Sequence, residues 1–271
     1  MKIDTHDALK KFSNLKDYLF SLKKVAIAFS SGVDSTFLLK TAHDVLKENA
    51  IAITINSPFF KDVEKKDTTI FCQKQNIKHI ISNVNILSNL EIKANPINRC
   101  YLCKKEIFTK IIEIAKDNCI TNVCEGSNID DLQDYRPGLK AINELNIISP
   151  LKKCNLTKNE IRFLSKKIKL ETWNKPSFAC LASRFVYNEE LSKEKLLAVS
   201  KSEQFIALCG FTQFRVRVHS NLARIEILPS EFSRMKKYYK KISEQLHLFG
   251  FTYVTVDLDG YKTGSMNNFL F

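Results

Sequence analysis

Val25-Ala-Ile-Ala-Phe-Ser-Ser-Gly-Val-Asp-Ser-Thr36 is the stretch on which the reading of the fold turns. An apolar run from Val25 to Phe29 enters a turn of small residues, Ser30-Ser31-Gly32. Asp34 and Ser35 then open an apolar helical pattern through Phe37, Leu38 and Leu39. The order is strand, turn, helix. Small side chains let the backbone pass close to a ligand, the turn's N–H groups point inward as an anion nest, and the new helix adds its positive end. A phosphate group is the natural occupant. The ordinary alternative is a strand-to-helix turn with Asp34 or Ser35 as cap. No Gly-Lys-Ser/Thr follows, so the loop is not a Walker A loop.

Outward from this loop, residues 8–22 read as an amphipathic helix, 34–48 as the helix after the turn, and 51–55 as a strand ending at Asn56-Ser57-Pro58. Residues 61–75 look helical and 79–82 look like the next strand. Asn122-Val-Cys-Glu-Gly126 is a further strand leaving on a glycine. In the polar loop that follows, Asp130, Asp131, Asp134 and Arg136 offer more charge than a turn requires. The alternation predicts an α/β fold: a parallel sheet with helices on both faces and ligands at the carboxyl ends of its strands, where Ser30 and Ser57 lie.

After a helix over 158–168 the composition shifts near residue 187. A helix (190–208), two strands (213–219, 222–228) turning at Ser220-Asn221, a helix (230–247) and a strand (252–258) then predict a small α+β domain. The expected domains are therefore 1–186, for ATP, and 187–271, for substrate or oligomerisation. In Phe214-Arg-Val-Arg-Val-His219, period 2 puts Arg215 and Arg217 on one face, with Val216 and Val218 on the other. Two guanidiniums about 7 Å apart on a strand face can grip a phosphate; a solvated outer face explains the spacing equally.

The chain of 271 residues, 44% hydrophobic and 26% charged, has the composition of a soluble globular protein. No apolar run approaches the roughly 20 residues of a membrane span, and Met1-Lys-Ile-Asp-Thr-His6 lacks the apolar core of a signal peptide, so a cytoplasmic location is expected. A net charge of +13 suggests an anionic partner. Lysine pairs on helix-like segments, such as Lys10-Lys11 and Lys236-Lys237, account for much of it as solvated faces, so it argues only weakly for nucleic acid.

Eight cysteines in a cytosolic chain do not read as a disulfide framework. Cys72, Cys119, Cys124, Cys154 and Cys209 sit in or beside apolar segments as small core or surface residues. Cys100 and Cys103 form a Cys-x-x-Cys pair among the cations Arg99, Lys104 and Lys105, which favour thiolates. A redox dithiol, half of a zinc site and part of an iron–sulfur site compete as explanations. A four-thiolate zinc site would show a second pair, and none exists. Cys180 is the other cysteine in a polar, loop-like setting. Three thiolates can hold a [4Fe-4S] cube and leave one iron free to carry a sulfide.

Ser30 to Ser35 closely resembles the S-G-G-x-D-S signature of the PP-loop ATP pyrophosphatases, which cleave ATP to AMP and pyrophosphate while adenylylating a substrate. Ser31 stands where that signature has its first glycine, which is costly if the position takes a positive φ and harmless if it needs only to be small. Asp134-Tyr-Arg-Pro-Gly-Leu-Lys140, Trp173-Asn-Lys175, Ser183-Arg-Phe185, Arg215-Val-Arg217, Ala223-Arg-Ile-Glu226 and Asp257 extend the likeness over nearly the full chain. Together they resemble the LarE sulfur transferases of nickel-pincer nucleotide biosynthesis.

The resemblance implies a PP-loop (HUP-like) fold. It also implies an ATP- and Mg²⁺-dependent enzyme that adenylylates the carboxylates of pyridinium-3,5-biscarboxylic acid mononucleotide and turns them into thiocarboxylates. One subgroup takes sulfur from its own cysteine; the one carrying a counterpart of Cys100 and Cys103 uses a [4Fe-4S] cluster. Residues and resemblance together assign Ser30, Ser31, Gly32, Val33, Asp34 and Ser35 to ATP, with the adenosine near Ser57 and Gly126. Asp34, Cys180, Ser183 and Arg184 are the candidate catalytic residues, and Lys104, Arg136, Arg215 and Arg217 the candidate substrate ligands. Cys100, Cys103 and Cys180 are the expected cluster ligands, Cys180 lying at or next to the place of the sacrificial cysteine. Glu203 and Glu226 are expected to bind a divalent ion or orient the arginines. The expected partners are the small-molecule substrate and further copies of the chain, with no nucleic acid and no membrane. A tRNA thiolation enzyme of the same superfamily and a non-catalytic ATP-binding module are the rival readings.

Overall fold

A computed structural model describes residues 3–60, 62–133, 138–176, 180–262 and 265–267. The apolar run before the loop is β1 (Val25–Ala28), accompanied by β2 (Ala50–Asn56), β3 (His79–Asn83) and β4 (Val123–Cys124), and the sheet order is β3-β2-β1-β4. Every pairing is parallel: Val25 aligns with Ala50, Ala52 with His79 and Ala26 with Val123. The chain leaves β1 for β2 on one side and later returns to β4 on the other. The carboxyl end of β1 is thus the point where strand order reverses, and there a crevice opens in sheets of this kind.

The helices are, in chain order, α1 (Thr5–Ser21), α2 (Val33–Leu46), α3 (Asp62–Lys74), α4 (Leu90–Lys93), α5 (Arg99–Asp117), α6 (Gly138–Glu144), α7 (Pro150–Lys153), α8 (Lys158–Lys167), α9 (Lys193–Leu208) and α10 (Phe232–Leu248). Two cores flank the parallel sheet. Val25 and Ile27 join Leu15 and Leu19 of α1, Phe37 and Leu38 of α2, and Ile161 and Leu164 of α8 on one face. Ala26, Ile51 and Ile53 join Phe108 and Ile111 of α5 and Ile142 of α6 on the other. Because both faces are covered, β1 and the start of β2 read as unbroken apolar runs.

The chain divides into two units. Unit 1 comprises Met1–Ser57, Asp62–Val84 and Cys100–Phe178 and contains the parallel sheet; unit 2 comprises Pro58–Lys61, Asn85–Arg99 and Ala179–Phe271. The expected division at residue 187 is a single cut, whereas unit 2 draws on three stretches. Within it, Leu191 N donates to Lys93 O (2.8 Å), Asn188 N to Asn95 O (2.9 Å) and the Asn95 amide to Val186 O (2.7 Å).

The sheet of unit 2, order β5-β6-β7, contains β5 (Phe214–His219), β6 (Leu222–Ile227) and β7 (Tyr253–Val256). β5 and β6 are antiparallel around the expected Ser220-Asn221 turn, with Ser220 at φ 55°, and α10 carries the chain over to β7, parallel to β6. Val216, Val218, Ala223, Ile225 and Ile227 are buried on one face. Among the described residues no helix is long and apolar enough to cross a membrane.

Candidate active site

The loop after β1 closes on itself as its sequence suggests. Ser35 Oγ donates to Gly32 O (3.3 Å), lies 3.2 Å from Ser30 Oγ and accepts from Ser30 N (3.4 Å), while Thr36 N makes the first helical bond to Gly32 O (2.9 Å). Ser31 takes φ 55° and is buried. The position therefore demands the left-handed conformation, which costs a non-glycine residue about 1–2 kcal/mol. The serine hydroxyl has local partners: it donates to Glu64 O (3.4 Å), and Lys175 Nζ donates to both Ser31 Oγ (3.3 Å) and Ser31 O (3.1 Å). Lys175 is also paired with Asp67 (2.7 Å).

Gly126, two residues past β4, lies directly behind this turn. A Cβ there would stand 3.0 Å from Ser35 N and 3.3 Å from the Asp34 Cβ and carbonyl carbon, so only glycine lets the two segments approach this closely. Gly126→Ala is expected to displace the start of α2 and slow pyrophosphate release about 10- to 100-fold, the cost of misplacing a reacting group by about an ångström. Steady-state assays beside a melting curve check this, since the fold should survive.

Asp34 is held from two sides. Its Oδ1 accepts from the Asn128 amide (3.4 Å), and its Oδ2 is ion-paired with Lys158, the first residue of α8. Asn128 is itself fixed, accepting from Asp130 N (3.0 Å) and donating its own N–H to Asp131 Oδ2 (3.0 Å). Asp130 Oδ2 accepts from Lys158 N (2.8 Å), which ties α8 to the loop after β4. Two of the acids read as surplus charge thus close a turn and tether a helix. Asp134 and Arg136 lie outside the described residues.

Sequence reasoning missed Lys158, Asn128 and Asp67 as site residues. Lys158 had one local signal: Thr157 and Glu160 form a reciprocal capping box that marks where α8 begins. Ser57 follows β2 and is buried. Lys104 lies across the start of α6, where a Cβ on Gly138 would meet its Cδ at 2.7 Å.

Unit 2 gathers the expected arginines. Arg184, fully buried, donates Nε and Nη2 to Glu203 (2.7 and 3.1 Å), while Arg217 donates Nε to Glu226 Oε2 (3.0 Å), Nη1 to Ser183 O (3.1 Å) and Nη2 to Ser265 Oγ (3.0 Å). Glu203 Oε1 also accepts from Val216 N (3.2 Å), and Glu226 Oε1 from Ser265 Oγ (2.7 Å) and Arg224 (3.4 Å). Each of the four carboxylate oxygens has a donor, which is how acids that orient arginines are placed. Asp257 completes the group by holding Arg224 at 2.8 Å. Burial lowers the Arg215 pKa, and the neighbouring charge of Arg184 lowers it further. Four guanidiniums against three carboxylates leave a cationic surplus suited to a phosphate. Arg217 is only 5% exposed, so its strand face is covered rather than solvated.

Cys100 and Cys103 occupy the first turn of α5, Cys100 exposed and Cys103 half-buried. Residues three apart share a helix face. Cys180 is exposed in unit 2, and its carbonyl accepts from Ser183 Oγ (2.7 Å) and Arg184 Nη1 (3.3 Å). Burial pushes the Cys72 thiol up to about 12, and burial together with Glu125 does the same for Cys124. Burial also raises Cys154 and Cys209. Among the described residues no three His, Cys, Asp or Glu side chains gather as ligands for a single metal ion.

No family model matches the chain. It is 40% identical over 262 residues, 96% of this chain and 98% of the relative, to an uncharacterised protein of Synechocystis. It is 34% identical over 261 residues, 96% of this chain and 95% of the relative, to the pyridinium-3,5-bisthiocarboxylic acid mononucleotide synthase of Lactiplantibacillus plantarum. A more distant likeness, 26% over 155 residues and 52% of this chain, is to the argininosuccinate synthase of Sulfurisphaera tokodaii, 40% of which is covered.

Proposed function

The chain belongs to the family of the pyridinium-3,5-bisthiocarboxylic acid mononucleotide synthases, and on that premise we propose that it uses ATP to adenylylate the carboxylates of pyridinium-3,5-biscarboxylic acid mononucleotide and replaces AMP with sulfur. The observation that carries this reading is the nest of Ser30 to Ser35 at the carboxyl end of β1, backed by Gly126 so closely that a Cβ there would stand 3.0 Å from Ser35 N. Its N–H groups and the start of α2 receive the β,γ-pyrophosphate, with the adenosine near Ser57 and Gly126. Mg²⁺, when bound, neutralises leaving-group charge, and Asp34 is the carboxylate placed to hold it.

The substrate carboxylate attacks the α-phosphorus, so the chain's work is positioning and charge stabilisation. Arg215 and Arg217 hold the substrate's own phosphate, with Glu226 orienting Arg217; Arg184, fully buried on Glu203, steadies Ser183 (2.9 Å), and Ser183, Lys104 and Arg136 complete the substrate ligands. Cys100, Cys103 and Cys180 would hold a [4Fe-4S] cluster, which when bound supplies the sulfide that displaces AMP. One observation fits that group: the helix face shared by Cys100 and Cys103. Unit 1 acts on ATP, and unit 2, which contains the expected substrate domain 187–271 together with residues 179–186 and two earlier stretches, acts on the substrate, in a cytoplasmic homo-oligomer with no nucleic-acid partner.

Pyrophosphate release measured with and without the pyridinium mononucleotide tests the reading. Substrate-dependent release and a thiocarboxylate product are expected; no release under either condition overturns it. Protein purified without oxygen is expected to be brown and to lose its iron on Cys100→Ala, Cys103→Ala or Cys180→Ala. Full iron content in all three variants would remove these cysteines as the cluster's ligands, and with them the proposed delivery of sulfide, leaving an ATP-dependent ligase with another sulfur source.

A further inference from the structure

Ser31 combines two features that pull against each other: a buried left-handed backbone, for which glycine is the unstrained choice, and a hydroxyl engaged on both sides. Glycine would remove the strain and, with it, the hydroxyl. What the hydroxyl touches is informative. Lys175 Nζ reaches Ser31 Oγ (3.3 Å), Ser31 O (3.1 Å) and Asp67 Oδ2 (2.7 Å), so three acceptors fix one ammonium beside the turn. The lysine's own backbone is pinned as well, because Arg162 Nη2 donates to Lys175 O (2.9 Å) and Arg162 Nη1 to Trp173 O (2.8 Å). An ammonium is a compact point charge on a flexible stem, and this stem is tied at both ends.

We propose that Lys175 supplies the fixed positive charge that the Ser30 to Ser35 nest needs for a triphosphate, and that Ser31 is the positioning residue that seats it. Backbone N–H groups give direction but little net charge, so a nest facing several phosphate charges gains most from a cation held beside it before the ligand arrives. Asp67 holds the ammonium in place beside the turn. The strained φ at Ser31 is offset by this local network. The inference rests on the ATP reading above and adds to it a charge that the loop signature does not contain.

MgATP binding to the full chain, followed by titration calorimetry without the carboxylate substrate, tests it. Lys175→Met is expected to weaken MgATP binding about 10- to 100-fold, the range of a charge-assisted bond. Ser31→Ala and Ser31→Gly are both expected to weaken it about 3- to 10-fold, and by similar factors, because each lacks the hydroxyl although only glycine relieves the strain. In the Lys175→Met background, Ser31→Ala should add nothing further. In steady state the Ser31 variants should raise KM for ATP with little change in kcat.

Wild-type affinity in Lys175→Met or Ser31→Ala overturns the proposal, as does a Ser31→Ala loss that persists undiminished once Lys175 is gone. Failure of the unaltered chain to bind MgATP overturns instead the ATP reading on which the proposal stands.

Discussion

Pyrophosphate release is expected to fall about 10²- to 10³-fold in Asp34→Ala, the loss seen when one preorganised electrostatic partner is removed from a site of developing charge. The substitution deletes the acceptor of Lys158 and of the Asn128 amide together, so the start of α8 and the loop after β4 lose their common anchor to the turn. Asp34→Asn keeps a side chain of the same shape with one carbonyl acceptor but removes the charge. Its activity should fall nearly as far if metal binding dominates, and much less if anchoring does. A coupled pyrophosphate assay at saturating ATP measures both, and wild-type turnover in Asp34→Ala would take the loop out of the chemistry.

Arg184→Ala is expected to cost about 3–5 kcal/mol of stability, because it leaves Glu203, 3% exposed, as an uncompensated charge in the interior of unit 2. At about 2–4 °C per kcal/mol for domains of this size, the melting temperature should drop by roughly 6–20 °C. Replacing both partners, Arg184→Met with Glu203→Leu, should restore much of that loss, since a buried ion pair is often exchanged for apolar packing at little net cost. The restored double variant should still bind the substrate more weakly, because Ser183 loses the bond from Arg184 Nη1. That split between recovered melting temperature and weakened binding separates the arginine's structural share from its positioning one. A melting temperature unchanged in the single variant would mean that Glu203 is not confined as described.

The parallel sheet was legible because its strands are buried on both faces, leaving Val25–Phe29 and Ile51–Ile55 as apolar runs that end in small-residue turns. The hairpin at Ser220-Asn221 was legible from period-2 alternation on either side of two turn formers. What surrounds the turn was not. Lys158 lies 124 residues from Asp34 in sequence and Lys175 lies 144 from Ser31, and no local pattern specifies which lysine a helix start or a loop will deliver there. Alternation placed Arg215 and Arg217 on a common face but could not show what covers it. Arg217 donates there to Ser183 and Ser265, both remote in the chain. The demand for a positive φ at Ser31 was likewise a question that only coordinates answer.

The buried thiols of Cys72 and Cys124 have an experimental use. Raised from an ordinary 9.0 to about 12, they carry a thiolate fraction about a thousandfold smaller at neutral pH. Brief alkylation of the folded protein should therefore mark the exposed Cys119, together with Cys100 and Cys180 in cluster-free protein, while passing over these two, and unfolding should unmask them. Mass spectrometry of the marked peptides then carries its own internal standard: a pair of sites that stays silent for as long as the parallel sheet is intact.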